Sequence, residues 1–167
     1  MAEPLILKVR PLTAEAFAPY GDVLEVPARD GEPMNQGWAQ RYRDVAEVDA
    51  DDEAGSVAIS LVRSKADAAP VALRLVERHP LGSQIFMPLG ANPFVVVVGL
   101  AGEVPARDQL TAFVTNGTQG VNYHKGVWHH PMIALQATSD FLVIDRKGPG
   151  NNCDESAIVG GDVEVQL

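Results

Sequence analysis

The chain has 167 residues, 46% of them hydrophobic, with mean hydropathy near zero, which fits one soluble globular domain spanning residues 1–167 with a core of its own. Its 13 Lys and Arg stand against 22 Asp and Glu, for a formal charge of −9 and a pI near 4.8. That balance excludes nucleic acid, whose phosphates require clustered cations, and also an anionic membrane surface. A single cysteine, Cys153, excludes an intrachain disulfide framework and suits a reducing cytosol. The N-terminus lacks a basic and apolar secretory leader, and no apolar run approaches spanning length, so the expected location is the cytoplasm. The 15 glycines and 12 prolines favour a turn-rich, strand-rich fold.

In chain order, residues 5–10 read as a first strand, and Thr13 as the N-cap of a short helix through Glu15 and Phe17 that Pro19 and Gly21 end. Residues 22–26 resume an extended pattern, 27–37 form a Pro/Gly-rich loop, and 38–43 read as a strand carrying Arg41 and Arg43. Six of the ten residues from 44 to 53 are acidic; packed like charges repel, so this run reads as a solvated loop. Residues 56–63 are β-branched and aliphatic, with Val57, Ile59 and Leu61 on one parity.

Between Pro70 and Pro80 lies a stretch read as one strand over 71–79, in which Val71, Leu73, Leu75, Glu77 and His79 share a parity. Residues two apart on a strand face the same side. If the aliphatics face a core, Glu77 and His79 point inward, where they need hydrogen bonds, something to hold, or a wet pocket. A purely structural pair at a strand end satisfies the same pattern. Residues 94–100, β-branched almost throughout, form the strongest strand signal. Strands follow at 110–115, at 132–136 and 140–146 as a closing pair, and weakly at 163–167. Many short strands with one or two short helices make the expected fold mainly β, a sandwich or barrel.

Residues 120–131 concentrate three of the four histidines, His124, His129 and His130, beside Tyr123, Trp128 and two glycines. Imidazole binds metals and moves protons near neutral pH, so this stretch reads either as half of a functional site or as a packed hairpin. Regular alternation turns His130 away from His129, and Trp128 reads as a wall or interface residue.

Gly126-Val-Trp-His129 has the spacing of the second cupin motif, and Glu77-x-His79, four residues, Gln84, five residues, Gly90 imitates the first. Glu77 stands for its first histidine and Gln84 for its glutamate. Longer blocks carry a closer likeness: Glu77-Arg-His-Pro-Leu-Gly-Ser-Gln84, Phe94-Val-Val-Val-Val98, Phe113-Val-Thr-Asn-Gly117, Gln119-Gly-Val-Asn-Tyr-His124, Val127-Trp-His-His-Pro131 and Phe141-Leu-Val-Ile-Asp-Arg146. Weaker agreement lies at Tyr20-Gly-Asp22, Arg41-Tyr42 and Asn152-Cys-Asp154. Through these blocks the chain resembles the ureidoglycolate lyase family, also called ureidoglycolate hydrolase.

The resemblance implies a cupin-like β-barrel or jelly roll, commonly a homodimer, that splits ureidoglycolate into glyoxylate and urea in allantoin and purine nitrogen catabolism. Breaking that carbon–nitrogen bond requires a base for the hydroxyl proton, an acid for the departing nitrogen and a partner for the carboxylate. The candidates are His129, His124, Glu77 and His79 for proton transfer, with Gln84, Arg41 and Tyr123 for substrate binding. Arg63 and Arg146 compete with Arg41 as the carboxylate clamp. Matched to cupin ligands, Glu77, His79, Gln84 and His129 are the metal candidates; the resemblance implies Ni²⁺, and a metal-free site stands open beside it. Cys153 reads as structural. Two rival functions are a hydrolase releasing ammonia from the same substrate and a non-catalytic cupin that binds a small carboxylic acid.

Overall fold

The computed structural model describes residues 3–167; Met1 and Ala2, which begin the N-terminal segment considered above, lie outside the described residues. Among the described residues the architecture is mainly β, with one α-helix of four residues, Ala14–Phe17. Thr13 caps it as expected, its hydroxyl accepting from Ala16 N at 3.2 Å.

Three sheets stack around two cores. The five-stranded sheet runs Gly21–Leu24, Gly120–Tyr123, Gln84–Pro88, Ser139–Lys147, Ser56–Ser64. Opposite it lies a larger sheet ordered Asp154–Ser156, Val76–Arg78, Trp128–His129, Phe94–Gly99, Thr111–Val114, Arg10–Pro11, with Ile133–Ala134 also pairing to Phe94–Gly99. Between them Phe17, Phe94, Val96, Val98, Phe113, Tyr123, Phe141 and Val143 form the inner core. On the far side of the larger sheet, Val71, Val95, Val97, Trp128, Ile133 and Val165 form a second core. A three-stranded sheet, Leu5–Lys8, Val163–Gln166, Val71–Ala72, covers it. The strand Phe94–Gly99 is buried on both faces, which is why its sequence is apolar at successive positions rather than alternating. This is the mainly-β, jelly-roll-like arrangement expected from the sequence.

Several expected elements differ. The stretch 5–10 is two strands, because the chain passes from the outer sheet to the larger one at Val9, whose N–H still bonds Gln166 O at 3.2 Å. The loop expected at 27–37 contains a strand, Glu32–Met34, which pairs with Ala39–Arg41 as an isolated hairpin. The strands at 133–134 and 139–147 do not pair with each other; the first joins Phe94–Gly99, the second Ser56–Ser64 and Gln84–Pro88.

The single strand expected over 71–79 is broken. Val71–Ala72 belongs to the outer sheet and Val76–Arg78 to the larger one, so the shared parity does not run through. Val76 packs in the second core while Glu77 faces the opposite way. Glu77 is therefore turned inward by the sheet that receives it, and not by the alternation of Val71, Leu73 and Leu75.

The acidic run 44–53 is also corrected: it is a loop, but a docked one. Ser83 N donates to Asp49 O at 2.8 Å, Asn122 Nδ2 to Glu47 O at 3.1 Å, and Lys125 Nζ bridges Asp49 and Asp52 at 3.1 and 2.7 Å. The buried Arg146 guanidinium donates to the carbonyls of Asp52, Glu53 and Pro149. The loop's backbone oxygens thus meet a cation, and its carboxylates another, so like-charge repulsion is offset. Replacing Arg146 by Met would leave these carbonyls unpaired. The expected cost is about 1–3 kcal/mol in urea unfolding, with faster proteolytic cutting between residues 47 and 55.

Candidate functional site

Cross-strand register builds the site. His129 lies opposite Val98 on one side and Glu77 on the other, and Glu77 lies opposite Glu155. Directly opposed residues project to the same face, so Glu155, Glu77, His129 and Val98 form a row across the inner face of the larger sheet. From the facing sheet come Tyr123 and Gln84, themselves opposed in register. The Tyr123 ring stacks on His129 at 4.2 Å between centroids and 5° between planes. The His79 ring stands 5.2 Å from that of His129.

The hydrogen bonds define each group's aim. His129, 2% exposed, donates from Nδ1 to Val127 O at 3.0 Å, so Nε2 is the ring atom that faces Glu77 and carries the lone pair when the imidazole is neutral. That atom is buried without a hydrogen-bond partner; Glu77 Oε1 lies 3.4 Å away, in ion-pair range. His79 donates from Nδ1 to Asn152 O at 2.7 Å, and its Nε2 lies 3.1 Å from Gln84 Oε1. The other end of that amide, Nε2, donates to Asp145 at 3.2 Å. Polar contact with His129, chiefly, holds the Glu77 carboxyl below its usual range against the opposing effect of burial. Burial first, and the Glu77 charge second, push the Tyr123 hydroxyl far above the usual phenol range. That hydroxyl is also buried and unpartnered.

The turn before His129 depends on Gly126, at φ +80°, a conformation that favours glycine. Its N–H donates to His79 O at 2.9 Å, tying the histidine-rich turn to the end of the Glu77 strand.

The structure therefore brings together Glu77, His79, Gln84, Tyr123 and His129. It leaves out His124, which is exposed, bonds Asp22 Oδ2 at 3.0 Å, and lines a separate cavity of about 590 Å³ with Ser83, Lys125 and the docked loop. The cause is parity: Asn122 and its neighbour Asp22 face outward, and His124 follows them. Arg41 is exposed on the isolated hairpin and hydrogen-bonds no member of the group. Arg63 is exposed and paired with Asp140, and Arg146 is engaged by carbonyls. None of the three arginines reaches the cluster by the contacts it makes.

Sequence reasoning passed over Asp145, Asn152, Glu155 and the position of Cys153. Asp145 had a usable signal, since Phe141, Val143 and Asp145 share a parity and the first two are buried. Asn152 acts through its backbone oxygen, for which no residue type is diagnostic. Burial, then the carboxylates of Glu77, Glu155 and Asp154, push the Cys153 thiol up, which disfavours a nucleophilic thiolate.

The donor set fits a divalent metal. Glu77, His79 and His129 each offer one ligand atom, all within 4.8 Å of one another. Both imidazoles are oriented through Nδ1 by backbone carbonyls, the usual support for a ligand on Nε2, and the His129 Nε2 is otherwise an orphan.

His130 turns to the other face, accepting from Arg74 N on Nε2 at 3.1 Å and donating from Nδ1 to Pro131 O at 2.6 Å. Burial, chiefly, lowers its pKa from the ordinary 6.5, with Arg74 adding to the effect and Pro131, Glu77 and Asp67 opposing it. The unfolded chain then binds this proton more readily than the native one, so the stability His130 contributes is complete above 6.5 and is lost as pH falls below it. Thermal unfolding should show a midpoint that drops across this window, and His130→Gln should flatten the drop.

A family model described as ureidoglycolate lyase matches residues 4–166. Proteins named ureidoglycolate lyase from Pseudomonas paraeruginosa and Pseudomonas fluorescens are 50% and 49% identical over 149 residues. These matches cover 89% of this chain, and 88% and 89% of the respective relatives. Among solved structures, RmlC from Streptococcus suis aligns at a TM-score of 0.43 with 10% identity, over 56% of this chain and 45% of that one. The RmlC epimerase of Mycobacterium tuberculosis aligns at 0.41 with 18% identity, over 60% and 50%. Among the described residues, no helix is long and apolar enough to cross a membrane.

Proposed function

Because the chain belongs to the ureidoglycolate lyase family, we propose that it is a carbon–nitrogen lyase that splits ureidoglycolate into glyoxylate and urea, with the chain from 1 to 167 as one catalytic unit. The observation that carries the site assignment is the buried, unpartnered Nε2 of His129 beside the Glu77 carboxylate. A lone pair held there, with its ring fixed through Nδ1, is placed to take the substrate's hydroxyl proton. Glu77 then stabilises the imidazolium that forms. As the hydroxyl oxygen becomes a carbonyl, the carbon–nitrogen bond breaks, and His79 is the group that hands a proton to the leaving urea nitrogen. Gln84 and the Tyr123 hydroxyl supply hydrogen bonds to the ureido group. A divalent ion such as Ni²⁺, held by Glu77, His79 and His129, would occupy the same ring nitrogens and would supply Lewis acidity in place of proton transfer by the two imidazoles.

The reaction is read as part of allantoin and purine nitrogen catabolism, in the cytoplasm. The test is a coupled assay for glyoxylate and urea from racemic ureidoglycolate. Equal yields of the two are expected, and ammonia in place of urea would establish the hydrolase instead. His129→Ala and Glu77→Gln should each lower kcat/KM by about a hundredfold or more with unchanged circular dichroism. Wild-type turnover in His129→Ala would remove this assignment. Loss of activity on chelation, restored by Ni²⁺, would give the ion a role; full turnover in chelator would deny it one.

The protein is further read as a homodimer through the outer face of the five-stranded sheet. Its edge strand, Ser56–Ser64, has one side unpaired and presents Ile59 and Leu61 at 71% and 73% exposure. Val57 on the same strand and the half-buried Leu142 and Ile144 on the next extend this apolar face. A nine-residue edge strand with Val57, Ile59 and Leu61 exposed on one face is a liability on a lone molecule, and a second copy related by a two-fold axis covers it with itself. Leu61→Asp should shift the protein from dimer to monomer in light scattering.

A further inference from the structure

Asp145 stands beside the site without a cation of its own. It is half-buried, makes no ion pair among the described residues, and accepts from Gln84 Nε2 on Oδ2 at 3.2 Å. Register explains the meeting. Ser139–Lys147 runs antiparallel to Gln84–Pro88 with Ile144 opposite Ile85, and one further step sets Asp145 opposite Gln84. Gln84 is buried, so its amide finds its partners within the protein. A primary amide has two orientations that fill the same space and exchange a carbonyl for an NH₂. An ionised carboxylate only accepts, so Asp145 takes the NH₂ end and the carbonyl turns the other way, to His79 Nε2 at 3.1 Å. The opposite orientation would set Oε1 against a carboxylate oxygen, two acceptors with no proton between them. His79 thus meets an oxygen at each ring nitrogen, Asn152 O at Nδ1 and Gln84 Oε1 at Nε2. A carbonyl oxygen has two lone pairs, so one remains at Gln84 once the His79 N–H is served.

We propose that Asp145 is a positioning residue for the reaction: it fixes the Gln84 amide so that a carbonyl lone pair, rather than an N–H, stands beside His79 and accepts from the N–H of the substrate's ureido group. Asp145 touches no substrate and acts through Gln84. The proposal rests on the lyase reading, in which His79 hands a proton to the leaving urea nitrogen. The Gln84 carbonyl holds that nitrogen, through its own hydrogen, next to the group that protonates it. With the amide reversed, an N–H would face the ureido N–H, and donor would meet donor.

The test exchanges the two partners in the full-length protein and follows urea release. Asp145→Asn leaves either orientation of the Gln84 amide satisfied and should lower kcat/KM about tenfold. Gln84→Glu sets two carboxylates together and should lower it by about tenfold or more. Combining Asp145→Asn with Gln84→Glu restores a donor facing an acceptor and keeps an acceptor turned to His79, so the double variant should exceed both single variants. A purely structural contribution from Asp145 predicts no such rescue, and a double variant that fails to exceed both single variants would overturn the proposal. A second readout needs no turnover and reports on the wild type directly. The Gln84 side-chain NH₂ signal in a ¹⁵N-labelled sample, assigned by its loss in Gln84→Glu, should be protected from solvent exchange and should lose that protection in Asp145→Asn. A signal unprotected in the wild type, or unchanged in Asp145→Asn, would overturn the assigned orientation. A wild type that releases no urea would remove the lyase reading, while the amide signal still decides whether Asp145 fixes Gln84.

Discussion

The strand Phe94–Gly99 has both faces buried, and most of the molecule is arranged to keep them so. Phe94, Val96 and Val98 fill the space between the two large sheets, and Val95 and Val97 fill the space beneath the three-stranded cover. Each such valine contributes on the order of 1.5–3 kcal/mol through burial. The strand therefore resists any slip in pairing, because a one-residue shift exchanges every side chain between two differently shaped cores. The candidate site inherits this rigidity. Val98 fixes His129 opposite it, and His129 fixes Glu77 in turn.

The site's electrostatics follow from that placement. His129 is carried into the interior, where its Nε2 has no hydrogen-bond partner and lies 3.4 Å from Glu77 Oε1. A buried polar atom left without a hydrogen bond costs stability. Two of the unpartnered buried side-chain atoms, His129 Nε2 and the Tyr123 hydroxyl, belong to rings stacked on each other at the candidate site. The contrast with His130, one residue on, is instructive. Its two nitrogens are both satisfied by the backbone, and it serves packing alone.

Charge on the surface obeys the same accounting. The acidic run from 44 to 53 would repel itself if packed without partners. Lys125 and Arg146 hold it against the outer face of the five-stranded sheet, Lys125 through carboxylates and Arg146 through carbonyls. Local composition is blind to those two cations, which lie far along the chain. Only the fold brings them under the loop.

The mainly-β character, the short Thr13-capped helix and the central apolar strand were all readable in the chain, because each depends on neighbours within a few residues. So was the opposition of His129 and His130, a direct consequence of two-residue periodicity. The pairing of Glu77 and His79 with His129 came from recognisable blocks, and the parity argument offered for it was wrong, since the strand breaks between Ala72 and Val76. Asp145 was readable from the parity it shares with the buried Phe141 and Val143; what separated His124 and Arg41 from the cluster, and what added Asn152 and Cys153 beside it, was the assignment of each strand to a sheet. That assignment is set by which faces find a core to bury against, an energy shared among residues more than a hundred positions apart, and it leaves no local trace in the order of the amino acids.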